Sequence, residues 1–132
     1  MRLLLDTHAF IWWVEGNPRL PPSLVERIEQ NVQTTRVSAA SVWEVATLIR
    51  LNKLPQWPVV AEDELQGMLS RTGFGELSVT ARHGELAGSM PGRHRDPFDR
   101  MLAAQALIEG LTLISRDGAL DEFGVRRIWQ DS

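Results

Sequence analysis

Arg95-Asp96-Pro97-Phe98-Asp99-Arg100-Met101-Leu102-Ala103-Ala104-Gln105-Ala106 is the stretch on which the reading of the fold turns. Pro97 suits the first position of a helix, where a missing N–H costs nothing. Asp96 ahead of it is a good N-cap, because its carboxylate can accept from the free N–H groups of the first turn. Asp99 falls within that turn, near the positive end of the helix dipole. Leu102, Ala103 and Ala106 give the helix an apolar side with small residues, suited to lying close against a sheet. Gly110 stands where a C′ glycine ends the helix. Leu111-Thr112-Leu113-Ile114-Ser115 then reads as a strand that runs into Arg116-Asp117.

Leu3-Leu4-Leu5 is a short, wholly apolar run ended by Asp6, the pattern of a strand buried on both faces of a parallel sheet. Thr7 to Glu15 predicts a helix that Gly16-Asn17-Pro18 stops, and Pro21-Pro22 opens a second helix to about Asn31. Thr34 to Ser38 predicts a strand, and Ala39 to Asn52 a helix with little polar surface. Pro55-Gln56-Trp57-Pro58 is a loop, and Ala61 to Arg71 reads as a helix. Glu76 to Val79 predicts a third strand, and Thr80 caps a helix to about Ser89. Pro91-Gly92-Arg93-His94-Arg95 is a basic loop, and a last strand spans about Val125 to Ile128. Strands alternate with helices almost throughout, which predicts an α/β fold with a mainly parallel sheet and helices on both faces. No Gly-rich phosphate loop follows the first strand, so a P-loop and a dinucleotide fingerprint are both excluded.

The 132 residues fit one domain, 1–132, with one sizeable core. A formal net charge of −3 argues against non-specific duplex DNA binding. Lys53 is the only lysine, so the positive charge is nearly all arginine, whose planar fork suits phosphates and carboxylates. Cysteine is absent, which excludes disulfides, thiolate metal sites and a Cys nucleophile. The start of the chain does not resemble a signal peptide, and the apolar run Ala9 to Val14 is too short to span a bilayer. The expectation is a soluble, cytoplasmic protein.

In an open parallel sheet, sites form at the C-terminal ends of the strands. Asp6 ends the first strand there, and Asp117 follows the strand at Leu111 to Ser115. Asp99 lies at the start of the helix before that strand, and Glu44 on the helix after the second. Each has an ordinary alternative. Asp6 can cap the following helix, Glu44 can complete a Ser41-x-x-Glu44 capping box, and Asp117 before Gly118 can be a turn residue. The apolar neighbours of Glu44 count against the second, since a carboxylate on a mostly buried helix needs a partner. If the four acids meet, protons or cations must neutralise them: two carboxylates at ~4 Å repel by about 4 kcal/mol at an effective dielectric near 20. An all-oxygen site favours Mg²⁺ or Mn²⁺ over Zn²⁺, and phosphodiester hydrolysis is the chemistry such a site supports.

Four segments resemble, in order, the successive motifs of PIN-domain proteins, and most of all the VapC-type toxins of bacterial toxin–antitoxin pairs. They are Leu3 to His8, Ser38 to Glu44, His94 to Ala106, and Leu113 to Asp117. The resemblance implies a three-layer α/β/α domain and a Mg²⁺- or Mn²⁺-dependent endoribonuclease acting on structured RNA such as tRNA. It places the family's acids on Asp6, Glu44, Asp99 and Asp117, with Asp96 left as a cap or supporting group, and Ser115 beside the site. It also implies inhibition by a cognate VapB-type antitoxin whose segment occupies an apolar groove, and a homodimer. Trp12, Trp13, Trp43 and Trp57 are candidates for the groove, with core packing as the alternative for each. Arg93, Arg95, Arg100 and Arg116 either contact RNA phosphates or balance the acids. His94 reads as a loop residue rather than a catalytic base, and His8 similarly.

Two other readings use the same residues. One is a catalytically silent PIN-like binding module. The other is a phospho-acceptor signalling domain, which expects a lysine near the late strands, and Lys53 is far from them in sequence.

Overall fold

β1 (Leu3–Leu5) is the middle strand of the sheet, and all three of its side chains are fully buried. The computed structural model describes residues 1–57 and 64–130. After β1 come α1 (Thr7–Glu15), α2 (Pro22–Glu29), β2 (Thr35–Ser38) and α3 (Ala39–Arg50). They are followed by α4 (Glu64–Thr72), β3 (Gly75–Leu77), α5 (Ala81–Ser89), α6 (Pro97–Glu109), β4 (Thr112–Ile114) and β5 (Arg127–Ile128). The sheet order is β3-β2-β1-β4-β5, and every pairing is parallel. Leu5 pairs with Val37 on one side and Ile114 on the other. The Asp6 N–H carries the ladder one step further by donating to the Ile114 carbonyl at 3.0 Å.

Side chains alternate across a strand, and the core divides accordingly. Leu3 and Leu5 pack with Phe10, Ile11, Leu24 and Ile28 on one face. Leu4 packs with Leu102, Ala106, Leu113 and Leu120 on the other. Three successive leucines are therefore needed because the strand meets a helical layer on each side. The result is the expected α/β/α arrangement.

Local signals explain the helix ends. Asp96 Oδ1 accepts from the N–H groups of Phe98 and Asp99 at 2.9 and 3.1 Å, as the Asp-Pro pair predicts. Gly110 closes α6 at φ 67°, where a Cβ would be strained. At α5 the capping box has His83 in the place usually taken by Glu or Gln. Thr80 Oγ1 accepts from the His83 N–H, and His83 Nδ1 accepts from the Thr80 N–H. The other ring nitrogen lies 2.9 Å from Glu109 Oε2 at the far end of α6.

The differences from expectation lie at boundaries. α3 stops at Arg50 because Asn52 adopts φ 56°, and the Lys53 N–H turns back to the Leu48 carbonyl. A 3₁₀ turn at Gly118–Phe123, unforeseen in sequence, buries Leu120 and shortens the last strand to two residues. Pro58 and the expected helix start at Ala61 lie outside the described residues.

Truncating the most buried contact between α6 and the sheet tests this packing. Leu102→Ala should lower the unfolding free energy by about 2–5 kcal/mol, read by urea denaturation with the slope unchanged.

Candidate metal centre

β1, β2 and β4 all point their C-terminal ends to one edge, and α1 and α3 begin there. Asp6 is the N-cap of α1, with Oδ1 accepting from the Ala9 N–H at 2.8 Å. It is 8% exposed. Burial pushes its carboxyl up; the bond from Ala9 and a hydrogen bond with Ser115 offset part of that rise. Asp6 thus does cap its helix, and it faces the site as well.

Glu44 does not complete a capping box with Ser41. Ser38 is the N-cap of α3, its Oγ accepting from the Ala40 N–H at 3.0 Å. Glu44 instead accepts from the Thr7 hydroxyl at 2.5 Å, and that hydroxyl lies 3.1 Å from Ser41 Oγ. Burial raises the Glu44 carboxyl above its ordinary value, the Thr7 bond lowers it, and the charges of Asp96 and Asp99 raise it again.

Asp99 is pushed up to about 6, first by burial, then by the neighbouring Asp96. A hydrogen bond with His94 acts the other way. Asp117 caps the 3₁₀ turn through Oδ1, which accepts from the Ala119 N–H at 3.0 Å. Its Oδ2 lies 3.3 Å from His94 Nε2. Ser115 Oγ accepts from the Asp117 N–H at 3.1 Å. The same hydroxyl acts to lower the Asp6 carboxyl.

A cavity of about 380 Å³ opens between them, lined by Asp6, His8, Trp12, Asp99, Arg116, Asp117 and Trp129. Asp6, Asp99 and Asp117 are on its wall; Glu44 is not among the lining residues, but it is hydrogen-bonded to Thr7 and feels the charges of Asp96 and Asp99. Among the described residues, no Lys or Arg forms a salt bridge with any of the four acids. Clustered, partly buried carboxylates that no Lys or Arg among the described residues pairs with fit a divalent cation.

Two residues take roles that the sequence did not disclose. His94 is not a bystander in its loop: Nε2 lies 3.0 Å from Asp99 Oδ2, and His94, Asp99 and Asp117 offer donor atoms within 4.8 Å of one another. The five-residue spacing from His94 to Asp99 was visible, but the loop path that folds it back was not. Arg100 is engaged with backbone instead of pairing with the acids. Its guanidinium donates to the carbonyls of Ala87, Met90 and His94 and so holds that loop. Arg116 lines the cavity with its guanidinium 5.1 Å from the Trp12 ring centre.

An α/β protein with a carboxylate-walled cation site at the strand ends is the class that fold and site define. The family model for the PIN domain matches residues 3–125. The chain is 32% identical over 120 residues to Ribonuclease VapC22 of Mycobacterium tuberculosis, covering 89% of this chain and 88% of that one. Its fold is similar to DNA-bound VapBC from Salmonella typhimurium, with a TM-score of 0.66, 17% identity and 97% of each chain covered. It is also similar to VapBC2 from Rickettsia felis bound to a promoter DNA fragment, with a TM-score of 0.67 and 16% identity. That match covers 99% of this chain and 100% of the other. The chain belongs to the PIN-domain family, in its VapC ribonuclease branch.

The raised Asp99 carboxyl has a consequence for stability. Its folded value of about 6 lies above the ordinary 3.8, so the folded state holds the proton more tightly. The stability this gives is complete below the unfolded value and is lost as pH rises through about 6. Metal-free wild type should therefore melt progressively lower than Asp99→Asn as pH rises through that window. A gap independent of pH in differential scanning calorimetry would contradict it.

Proposed function

We propose that this chain is a divalent-cation-dependent endoribonuclease, the toxin of a VapBC-type pair, which hydrolyses phosphodiester bonds of a structured RNA such as tRNA. The observation that carries this reading is the acidic hollow itself: Asp6, Asp99 and Asp117 on its wall, Glu44 within reach of the Asp99 charge, and no Arg or Lys among the described residues paired to them. The ordered family motifs supply the same four acids. Mg²⁺ or Mn²⁺ is the ion of choice for such oxygen donors.

Asp6, Glu44, Asp99 and Asp117 hold the ion, Asp6 with its direction fixed by the Ala9 N–H and Glu44 with its direction fixed by Thr7. When bound, the ion supplies Lewis acidity, activating water and neutralising charge on the departing oxygen. Ser115 keeps Asp6 and Asp117 in register. Arg116, held over Trp12 on the cavity wall, is placed to meet a phosphate oxygen of the substrate.

The antitoxin segment lies along the α1 side of the pocket. Trp12 is shared by the acidic cavity and by two neighbours of about 510 and 940 Å³, which Trp13 and Trp57 respectively help to line. Trp43 belongs elsewhere. It is 67% exposed, stacks edge-on against Phe98 at 4.8 Å, and borders a separate apolar hollow with Val79 and Met101. That face is the better candidate for the homodimer. Among the described residues no helix is long and apolar enough to cross a membrane, and the cytoplasm, where RNA and antitoxin are met, is the proposed compartment.

Purified protein should cleave RNA with Mg²⁺ or Mn²⁺ and stop on adding EDTA. Asp6→Asn and Asp99→Asn should reduce cleavage to background, and Glu44→Gln by about 10–100-fold, read on end-labelled tRNA. Undiminished cleavage by all three would end the assignment. Trp43→Glu should convert dimer to monomer in light scattering without changing the far-UV circular dichroism.

A further inference from the structure

The donor set of the acidic hollow includes a nitrogen. His94 sits on the loop between α5 and α6, and that loop is fixed at several points. Arg100 Nη1 donates to the His94 carbonyl at 2.8 Å, and the His94 N–H donates to Glu122 Oε1 at 2.9 Å. The imidazole lies against the Phe123 ring at 6.2 Å, and the Arg100 guanidinium covers the same ring at 5.1 Å. Gly92 lets the loop come this close: a Cβ there would be 2.5 Å from Phe123 and 2.8 Å from Glu122, at φ +149°.

So held, Nε2 lies 3.0 Å from Asp99 Oδ2 and 3.3 Å from Asp117 Oδ2. Donors bound about 2.1 Å from one octahedral ion are about 3.0 Å apart along each edge. The imidazole nitrogen thus already stands at ligand-edge spacing from both carboxylates, and all three donors lie within 4.8 Å of one another. Carboxylate oxygens suit Mg²⁺ and Mn²⁺ alike, whereas an imidazole adds affinity for first-row transition ions and little for the hard, reluctantly dehydrated Mg²⁺.

We propose that His94 is a metal ligand, its Nε2 joining Asp99 and Asp117, and that this nitrogen makes the centre select Mn²⁺ over Mg²⁺. The proposal rests on the reading that the hollow holds a divalent cation, and goes beyond it by naming a nitrogen ligand and the selectivity that follows.

The test uses the full chain, Mn²⁺ and Mg²⁺ alone, and no RNA. Pulsed electron paramagnetic resonance of the Mn²⁺-loaded wild type should show hyperfine coupling to a directly bound nitrogen. His94→Ala should lose that coupling while still binding Mn²⁺. By competition titration it should also lose about tenfold or more of the Mn²⁺ preference over Mg²⁺. Asp99→Asn should lose binding of both ions. Mn²⁺ bound to the wild type without nitrogen coupling would overturn the assignment and leave the cation site standing. So would tighter Mn²⁺ binding by His94→Ala, which would make the imidazole an occupant displaced by the ion. A wild type that binds neither ion at millimolar concentration would overturn the underlying reading as well. The wild-type spectrum decides the matter even if the variant is unstable.

Discussion

Negative charge gathered at one sheet edge, with His94 but no Lys or Arg among the described residues paired to it, is the constraint on which the rest of this structure depends. Separated carboxylates would relax by turning to water. Here three of the four are held by a hydrogen bond that sets their direction: Asp6 by the Ala9 N–H, Glu44 by the Thr7 hydroxyl, Asp117 by the Ala119 N–H. Asp99 lies in the first turn of a helix whose start is set by Asp96 and Pro97. Packing supplies the opposing free energy. β1 is buried on both faces and paired on both edges, so the end of the strand that delivers Asp6 cannot shift without disturbing both halves of the core.

That division of labour explains what could be read from the sequence. β1, α1 and α6 announce themselves locally, by an unbroken apolar run, a Gly-Asn-Pro stop and an Asp-Pro start with a glycine end. Parallel order follows from alternation of strands and helices. The late segment was harder: Gly118–Phe123 coils into a 3₁₀ turn because Asp117 caps it and Leu120 needs burial, and neither cause has a periodic signature. The four acids were proposed from the sheet edge they share: Asp6 and Asp117 after strands, Asp99 in a first helical turn, and Glu44 along the helix after the second strand. What sequence reasoning missed was their depth. Nothing local says that Glu44 would be absent from the cavity lining, or that Thr7 is its partner.

The basic residues show the same limit. An arginine near an acidic pocket in sequence is ambiguous, and the structure divides the group by geometry. Arg100 satisfies three backbone carbonyls of the α5–α6 connection. Arg127 pairs with Asp121 and donates to the Ser115 carbonyl, supporting the end of β4 from outside. Arg116 alone of these borders the cavity. A guanidinium has five donors in a fixed plane, so it serves equally well as a clamp on irregular backbone, and only the loop path decides.

The order of the strands also bears on when the protein becomes active during its own synthesis. Asp6 and Glu44 leave the ribosome early, while Asp99 and Asp117 come late, and β1 has no neighbour on its second edge until β4 is made. A nascent chain halted before β4 lacks the Ile114 carbonyl that extends the ladder to Asp6. Such a fragment has three of the four acids, lacks Asp117, and has no closed pocket. The carboxylate-walled cavity is therefore completed only after the last of the four acids, Asp117, has been added and β4 has docked beside β1.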